Sequence, residues 1–294
     1  MRRLGFVGLG QMGTPMARRL LRDSNLVVYN RSKGPLDLLA TEGAEPAASP
    51  KEVGEKSEIV LLSLADGNAV KQVIFGQDGL ISGMQGRGVI VDTSTIGPTF
   101  AREIAKLAHN EGVRVLDAPV SGGPEKAAAG KLTFMVGGDL RTFEEVRDVL
   151  RTLGEYVFYM GGPGSGQATK LVNQLLVGIH IVATCEALLF AKSQGLDLEK
   201  ASNVITRSAG DSFIFRRDAA QIISNSFGSG FQTYLIHKDL GLVLDLAPKL
   251  SLKLTDSARE LFEESLKSGN ERIDAVSVAK VLERGTEPST NINH

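Results

Sequence analysis

The chain has no tryptophan and a single cysteine, Cys185, among its 294 residues. One cysteine cannot build a disulfide framework within the chain, and it lacks the company of a zinc site. It lies in an apolar helical stretch and reads as a small core residue. An excess of charge of one sign is also missing. Lys plus Arg is 33 and Asp plus Glu is 34, a formal net charge of −1, so no global basic field recruits nucleic acid or anionic lipid. The four histidines, at 109, 180, 237 and 294, show no ligand spacing, and no metal is expected. The longest apolar stretch, Leu171 to Phe190, is interrupted by Asn173, Gln174, His180 and Glu186. It reads as a buried helix rather than a membrane span. Internal repeats and low-complexity tracts are lacking. So is a signal-peptide pattern, and the expected setting is cytoplasmic.

What the chain does have begins at once. An apolar run, Leu4-Gly5-Phe6-Val7, breaks into Gly8-Leu9-Gly10-Gln11-Met12-Gly13, and a helical pattern follows. Strand, tight turn and helix N-terminus are the parts that hold a dinucleotide pyrophosphate. Gly8 permits the turn, Gly10 lets backbone approach phosphate, and Gly13 lets helix pack on strand. A second strand, Leu26 to Asn30, arrives at βαβ spacing. An NAD site wants Asp or Glu at its end. This chain has Asn30-Arg31-Ser32-Lys33 instead. The planar fork of Arg31 suits a 2′-phosphate, and Ser32 adds a hydrogen bond, so NADP(H) is favoured over NAD.

Strand and helix patterns alternate through the first half. Strands are expected at Glu58–Leu64, Gly88–Asp92, Val113–Ala118, Thr133–Gly138 and Tyr156–Met160, with a short segment at Ala47–Ala48. Helices are expected at Pro35–Glu42, Val70–Ile74, Pro98–Asn110 and Thr142–Leu153. This alternation makes the fold class α/β, a doubly wound, mostly parallel Rossmann sheet. The pattern changes at Gly161-Gly162-Pro163-Gly164-Ser165-Gly166, a glycine-dense joint. The domains are therefore expected at 1–162 for dinucleotide binding and 163–294 for an all-helical substrate and oligomerisation domain. Helical period recurs near 167–194, 197–207, 213–224, 232–247, 251–267 and 273–283. The polar tail from Gly285 to His294 is expected to be loose.

Three blocks after the cofactor loop have the residue types for chemistry. Gly166, Lys170 and Asn173 share one helix face. A lysine one turn into that helix, at the domain joint, can give a proton to a carbonyl oxygen as hydride arrives; from spacing alone a solvated surface lysine fits equally well. Asn173 can hold the same oxygen or the lysine. Ser121-Gly122-Gly123 follows a strand, and successive glycine amides plus a hydroxyl suit a substrate carboxylate; an ordinary Gly-Gly turn fits the spacing equally well. Lys238-Asp239 is an adjacent cation and anion on a helix, about 100° apart, a pattern that is usually a surface pair.

Together the blocks resemble the β-hydroxyacid dehydrogenase family. Gly8 to Gly13, Asp117-Ala118-Pro119-Val120-Ser121-Gly122-Gly123, Gly166 to Asn173 and Lys238-Asp239-Leu240 occur in family order along nearly the whole chain. The resemblance implies that Lys170 is the catalytic acid/base, and that Ser121, Gly122, Gly123 and Asn173 contact substrate with Asp239 nearby. It implies that Leu64, Ala65, Asn68, Thr95 and Lys238 line the cofactor beside Gly8, Leu9, Gly10, Gln11, Met12, Gly13, Asn30, Arg31 and Ser32. Phe231 matches a pocket-closing position. Arg31 and Ser32 are similar to the NADPH-dependent glyoxylate/succinic semialdehyde reductase branch. Lys126-Ala127 stands where many relatives have Gly-Ala, and Gln174 where a second Asn is common.

The expected activity is NADPH-dependent reduction of a small carboxylate-bearing aldehyde or 2-oxo acid, such as glyoxylate or succinic semialdehyde, to the hydroxy acid. The alternatives are a 3-hydroxyisobutyrate or tartronate semialdehyde-type hydroxyacid dehydrogenase and, from another class, a non-catalytic NADP-binding scaffold. The presence of Lys170 weighs against the scaffold and against an imine reductase. Because the 171–191 stretch is apolar on several faces, a homodimer or homotetramer is expected.

Overall fold

The structure, a computed structural model, describes residues 3–228 and 230–284. The chain divides into two compact units, Met1–Lys170 and Leu171–His294. The tail from Gly285 onward, expected to be loose, lies outside the described residues.

The first unit runs β1 (Leu4–Val7), α1 (Gly13–Leu21), β2 (Leu26–Tyr29), α2 (Lys33–Thr41), β3 (Glu45–Pro46), α3 (Pro50–Lys56), β4 (Ile59–Leu62), α4 (Gly67–Phe75) and α5 (Leu80–Met84). It continues with β5 (Val89–Asp92), α6 (Pro98–Asn110), β6 (Arg114–Asp117), β7 (Val120–Ser121), α7 (Gly123–Ala129), β8 (Leu132–Gly137), α8 (Leu140–Leu153) and β9 (Gly154–Gly161). The strands lie in the order β3-β2-β1-β4-β5-β6-β8-β7, with β9 beside β8. The first six are parallel. β8 runs antiparallel to β6 and β7.

Central strands such as Ile59-Val60-Leu61-Leu62 are apolar at every position because both faces are covered. Phe6, Leu61 and Val91 enter one core with Met16, Leu20 and Val146. Their neighbours Val7, Leu62 and Ile90 enter a second core with Val53, Val70 and Ile104. The chain leaves β1 towards β2 on one side and returns to add β4 on the other. That reversal opens a ligand crevice beyond the carboxyl ends of the strands.

Four elements went unread in the sequence: α3, α5, β7 and α7. Each has seven residues or fewer, too short to show a period. The segment expected at Ala47–Ala48 is β3 at Glu45–Pro46. The helix expected from Val70 begins at Gly67, because the Asp66 side chain accepts the Ala69 N–H at its start.

The second unit is helical: α9 (Ser165–Ser193, begun in the first unit), α10 (Leu198–Ile205), α11 (Phe213–Ile223), α12 (Thr233–Leu246), α13 (Lys253–Lys267), a 3₁₀ turn at Ala275–Val278 and α14 (Ala279–Arg284). Its core gathers Ile181, Cys185, Ile236, Leu240, Phe262 and Val276. Burial pushes the Cys185 thiol well above its ordinary value, consistent with an inert packing role. The reading of 171–190 as a buried helix needs correction. Val182 and Leu188 are buried, while Val172, Leu176 and Phe190 are exposed.

The loop between β1 and α1 fixes the crevice floor. Gly8 has φ +96°, and a Cβ there would lie 2.3 Å from the Ser63 carbonyl oxygen. A Cβ on Gly13 would lie 1.8 Å from the Gly8 carbonyl oxygen. Gly13→Ala therefore has to open the loop. Its dissociation constant for a reduced nicotinamide dinucleotide, measured by fluorescence titration, should rise roughly tenfold or more, about 1.4 kcal/mol. An unchanged constant would show that the loop does not meet the cofactor.

Candidate active site

The first cluster is the cradle after β1. Leu9 N–H donates to Asn30 Oδ1 at 2.9 Å, and Asn30 Nδ2 donates to the Ser32 carbonyl at 2.9 Å. Asn30 thus ties the glycine loop to the end of β2. Thr14 Oγ1 donates to the Leu9 carbonyl at 2.9 Å. A Cβ added to Gly10 would meet nothing within 4 Å, so backbone is open to a ligand there. Helix α1 starts at Met12 with no side-chain cap and no acidic residue in its first turn. By contrast Ser49, Asp66 and Asp139 cap α3, α4 and α8. Uncapped N–H groups and the positive end of the helix dipole suit a pyrophosphate. Arg31, Ser32 and Lys33 are exposed at the end of β2, and neither cation is held by a carboxylate of the described residues. Leu64 and Ala65 follow β4, Asn68 lies in the first turn of α4, and Thr95 follows β5. These residues lie in the loops and the first helical turn that follow the carboxyl ends of neighbouring parallel strands, and the cradle fits a nicotinamide dinucleotide.

The second cluster is the start of α9. Asp117, the last residue of β6, is 4% exposed. Its Oδ1 accepts the Gly164 N–H at 2.7 Å and its Oδ2 the Gln167 N–H at 2.9 Å. Burial pushes this carboxyl above the usual aspartate range, and those N–H groups pull it back down. Gln167 is fully buried. Its Oε1 accepts the Ile96 and Gly97 N–H groups at 3.0 and 3.2 Å, and its Nε2 donates to the Ser94 carbonyl at 2.7 Å. Ser94 Oγ in turn accepts the Leu64 N–H at 2.9 Å. A Cβ on Gly166 would lie 2.2 Å from the Met135 carbonyl oxygen, so the helix begins hard against the sheet edge.

Lys170 is one turn further along. It is 8% exposed, and its Nζ donates to the Val120 carbonyl at 2.8 Å. The Lys170 block and the Ser121-Gly122-Gly123 block, read separately in sequence, therefore meet through Val120. Ser121 ends β7, while Gly122 and Gly123 turn into α7 with φ of +139° and +76°.

Within the second unit, Asn173, Gln174, Lys238 and Asp239 form a line. Asn173 Nδ2 donates to Gln174 Oε1 at 3.0 Å, and Gln174 Nε2 donates to Asp239 Oδ2 at 2.8 Å. Lys238 Nζ lies 3.3 Å from Asp239 Oδ1. Asp239 is 3% exposed, so the surface-pair alternative for Lys238-Asp239 does not hold. Phe231 packs against the helical core, and its N–H donates to Asp274 Oδ2 at 2.9 Å.

Ser94, Asp117 and Gln167 were missed as site-building residues in the sequence. Asp117 was visible only as part of a resemblance block. An aspartate ending an apolar strand, as in Val115-Leu116-Asp117, was the available signal; Gln167 gave none. Among the described residues no cluster of three or more potential metal ligands occurs.

Two family models cover the chain. Residues 3–161 match the NAD-binding domain of 6-phosphogluconate dehydrogenase. Residues 164–282 match the NAD-binding domain of NADP-dependent 3-hydroxyisobutyrate dehydrogenase. The chain is 35% identical over 293 residues to 2-(hydroxymethyl)glutarate dehydrogenase of Eubacterium barkeri, covering 98% of this chain and 97% of that one. It is 36% identical over 284 residues to 2-hydroxy-3-oxopropionate reductase of Escherichia coli, covering 96% and 97%. The crystal structure of a 3-hydroxyisobutyrate dehydrogenase from Salmonella typhimurium matches with a TM-score of 0.87 at 31% identity, over 96% of this chain and all of that one.

Asp117→Asn leaves one acceptor for two buried N–H groups. It should cost about 1–3 kcal/mol of stability and lower kcat more than it raises the KM for the nicotinamide dinucleotide. The carboxyl's native pKa lies above its unfolded value, so in the window between the two the native state binds more protons. Wild-type stability from this group therefore falls as pH rises through that window. Denaturant titrations across acid pH should find that component absent from Asp117→Asn; an identical pH slope in both proteins would contradict the assignment.

Proposed function

The chain belongs to the β-hydroxyacid dehydrogenase family, and from that premise we propose that it reduces small carboxylate-bearing aldehydes or 2-oxo acids with NADPH, using Lys170 as general acid. It is an oxidoreductase of CH–OH groups that uses a nicotinamide dinucleotide. The observation that carries the finer reading is the Lys170 Nζ–Val120 O hydrogen bond of 2.8 Å. It ties the buried Lys170 side chain to Val120, the residue that precedes Ser121-Gly122-Gly123, which supports the reading.

The bound dinucleotide supplies a hydride, that is, one hydrogen nucleus with two electrons. The chain supplies the rest. Lys170 gives one proton to the carbonyl oxygen as that oxygen becomes an alkoxide, and takes it back in the oxidative direction. Val120 O holds a second ammonium proton and so limits the rotation of Nζ. Ser121 Oγ and the Gly122 and Gly123 amides bind the substrate carboxylate. Glyoxylate and succinic semialdehyde are the first substrates to try. Relatives named for 2-(hydroxymethyl)glutarate, 2-hydroxy-3-oxopropionate and 3-hydroxyisobutyrate favour a second reading, in which the reacting carbon is β to the carboxylate. Both readings share the carboxylate and the lysine.

NADPH is preferred in this reading because Arg31 and Lys33 stand exposed where an NAD site needs a carboxylate. The reading includes self-association of the chain through the exposed Val172, Leu176 and Phe190 of α9.

Lys170→Ala should fold, bind NADPH and lose ~10²–10⁴-fold in kcat with a carboxylate aldehyde, followed by nicotinamide absorbance. Lys170→Arg should restore little, since guanidinium does not release its proton. Near-normal turnover in either variant sinks the role given to Lys170. Arg31→Asp should turn the ratio of kcat/KM for NADPH over NADH towards NADH. The lost charge-assisted hydrogen bonds are worth about 1.5–3 kcal/mol, roughly 10–150-fold. An unchanged ratio would place the adenine ribose away from this turn.

A further inference from the structure

The near-zero net charge hides a local imbalance within the first unit. Helix α6 carries Arg102, Lys106 and His109 at i, i+4 and i+7, within about 60° of one another around its axis. Its Glu103 lies about 100° from Arg102 and is taken by Lys71 of α4 at 3.2 Å. The three basic side chains and Arg114 of β6 line a cavity of about 370 Å³. Its floor is apolar. Val113 is buried, Ala105 and Val115 are half-buried, and Pro163 adds to the wall. No lining residue belongs to the cradle after β1 or to α9.

The acids nearby are engaged. Asp139, the acid of the lining, accepts the Thr142 N–H at 2.8 Å and the Thr142 hydroxyl at 2.9 Å, which caps α8. Glu145 is held by both terminal nitrogens of Arg114. Arg102 makes a 3.4 Å hydrogen bond to Thr99, and neither it nor Lys106 nor His109 is paired with a carboxylate of the described residues. The helix dipole favours cations in a last turn. It accounts for Lys106 and His109, but not for Arg102 in the second turn. Arg102 and Lys106 are moreover a like-charge i, i+4 pair, which weakens a helix unless an anion joins them.

We propose that this cavity is a second ligand site, which binds an organic polyphosphate of the nucleoside triphosphate class. Arg102 to His109 spans about 10 Å along the helix, so its donors face successive phosphates of a chain. Arg102 offers a planar fork to phosphate oxygens and Lys106 a point charge. The apolar floor suits a flat ring, and the volume falls within the roughly 300–1,000 Å³ of small-molecule sites. Ala105 leaves the room for it, since it lies on the same stripe between Arg102 and His109. A chain ending in a free phosphate carries more charge than the doubly esterified phosphates of a dinucleotide. The cavity and the cradle therefore take different ligands.

The test is a calorimetric titration of ATP into the full chain at about 0.15 M salt, where charges more than about 8 Å apart are screened. Enough nicotinamide dinucleotide is present to fill the cradle. One ATP should bind per chain. Arg102→Gln and Lys106→Gln should each weaken it roughly tenfold or more. Ala105→Leu should weaken it as much with no change of charge, and Arg31→Asp should leave it as in wild type. Inorganic tripolyphosphate should bind more weakly than ATP, because it leaves the apolar floor bare. Arg102 and Lys106 are exposed, so their variants decide the matter even where Ala105→Leu does not fold. The proposal is overturned by ATP that does not bind, or that binds only while the cradle is empty. It is equally overturned by charge variants or a folded Ala105→Leu that bind ATP as wild type does, or by tripolyphosphate that binds as tightly as ATP.

Discussion

One buried carboxylate sets where the longest helix begins. Asp117 ends β6 and accepts the N–H groups of Gly164, just before α9, and of Gln167 in its first turn. The helix end offers partial positive charge and unpaired N–H groups; the strand end offers a dehydrated negative charge. Each would be costly alone in a buried place. Together they hold the helix against the sheet, and Gly166 allows the close approach. The position of Lys170 follows, because it is four residues from Gly166 on the same rigid rod.

The two helix N-termini at this sheet edge are treated in opposite ways. The start of α9 is closed by Asp117 and braced by Gln167, which reaches Ser94, Ile96 and Gly97. The start of α1 is open, with Met12 at the N-cap making no side-chain hydrogen bond and no acidic residue in the first turn. A closed N-terminus holds the Lys170 side chain still. An open one keeps its donors for an anion. The same electrostatic property of a helix thus serves precision at one place and dinucleotide binding at the other.

What could be read in the sequence was local. Gly8, Gly10 and Gly13 act over six residues, so their spacing carries the turn. The helix Pro98–Asn110 was read to the residue, because proline marks its start and an amphipathic period fills it. Arg31 at a strand end needed only its neighbours to be interpreted. Seven-residue elements such as α3 and α7 lacked room for a period. Asp117 and Gln167 lay beyond reach because their partners are backbone groups about 50 and 70 residues away, which no spacing rule connects. Helix α9 misled for a different reason. Its apolar residues surround it, and a sequence does not tell which face the chain's own core will cover.

The central claim is that the anchored helix delivers the Lys170 ammonium to the reacting oxygen. The most direct measurement is a crystal structure of the protein with NADP⁺ and a hydroxy acid bound. The account predicts Lys170 Nζ at about 2.6–3.2 Å from the substrate hydroxyl, with the Val120 and Asp117 hydrogen bonds kept. A substrate hydroxyl held by another side chain, with Lys170 turned away from it, would contradict the account.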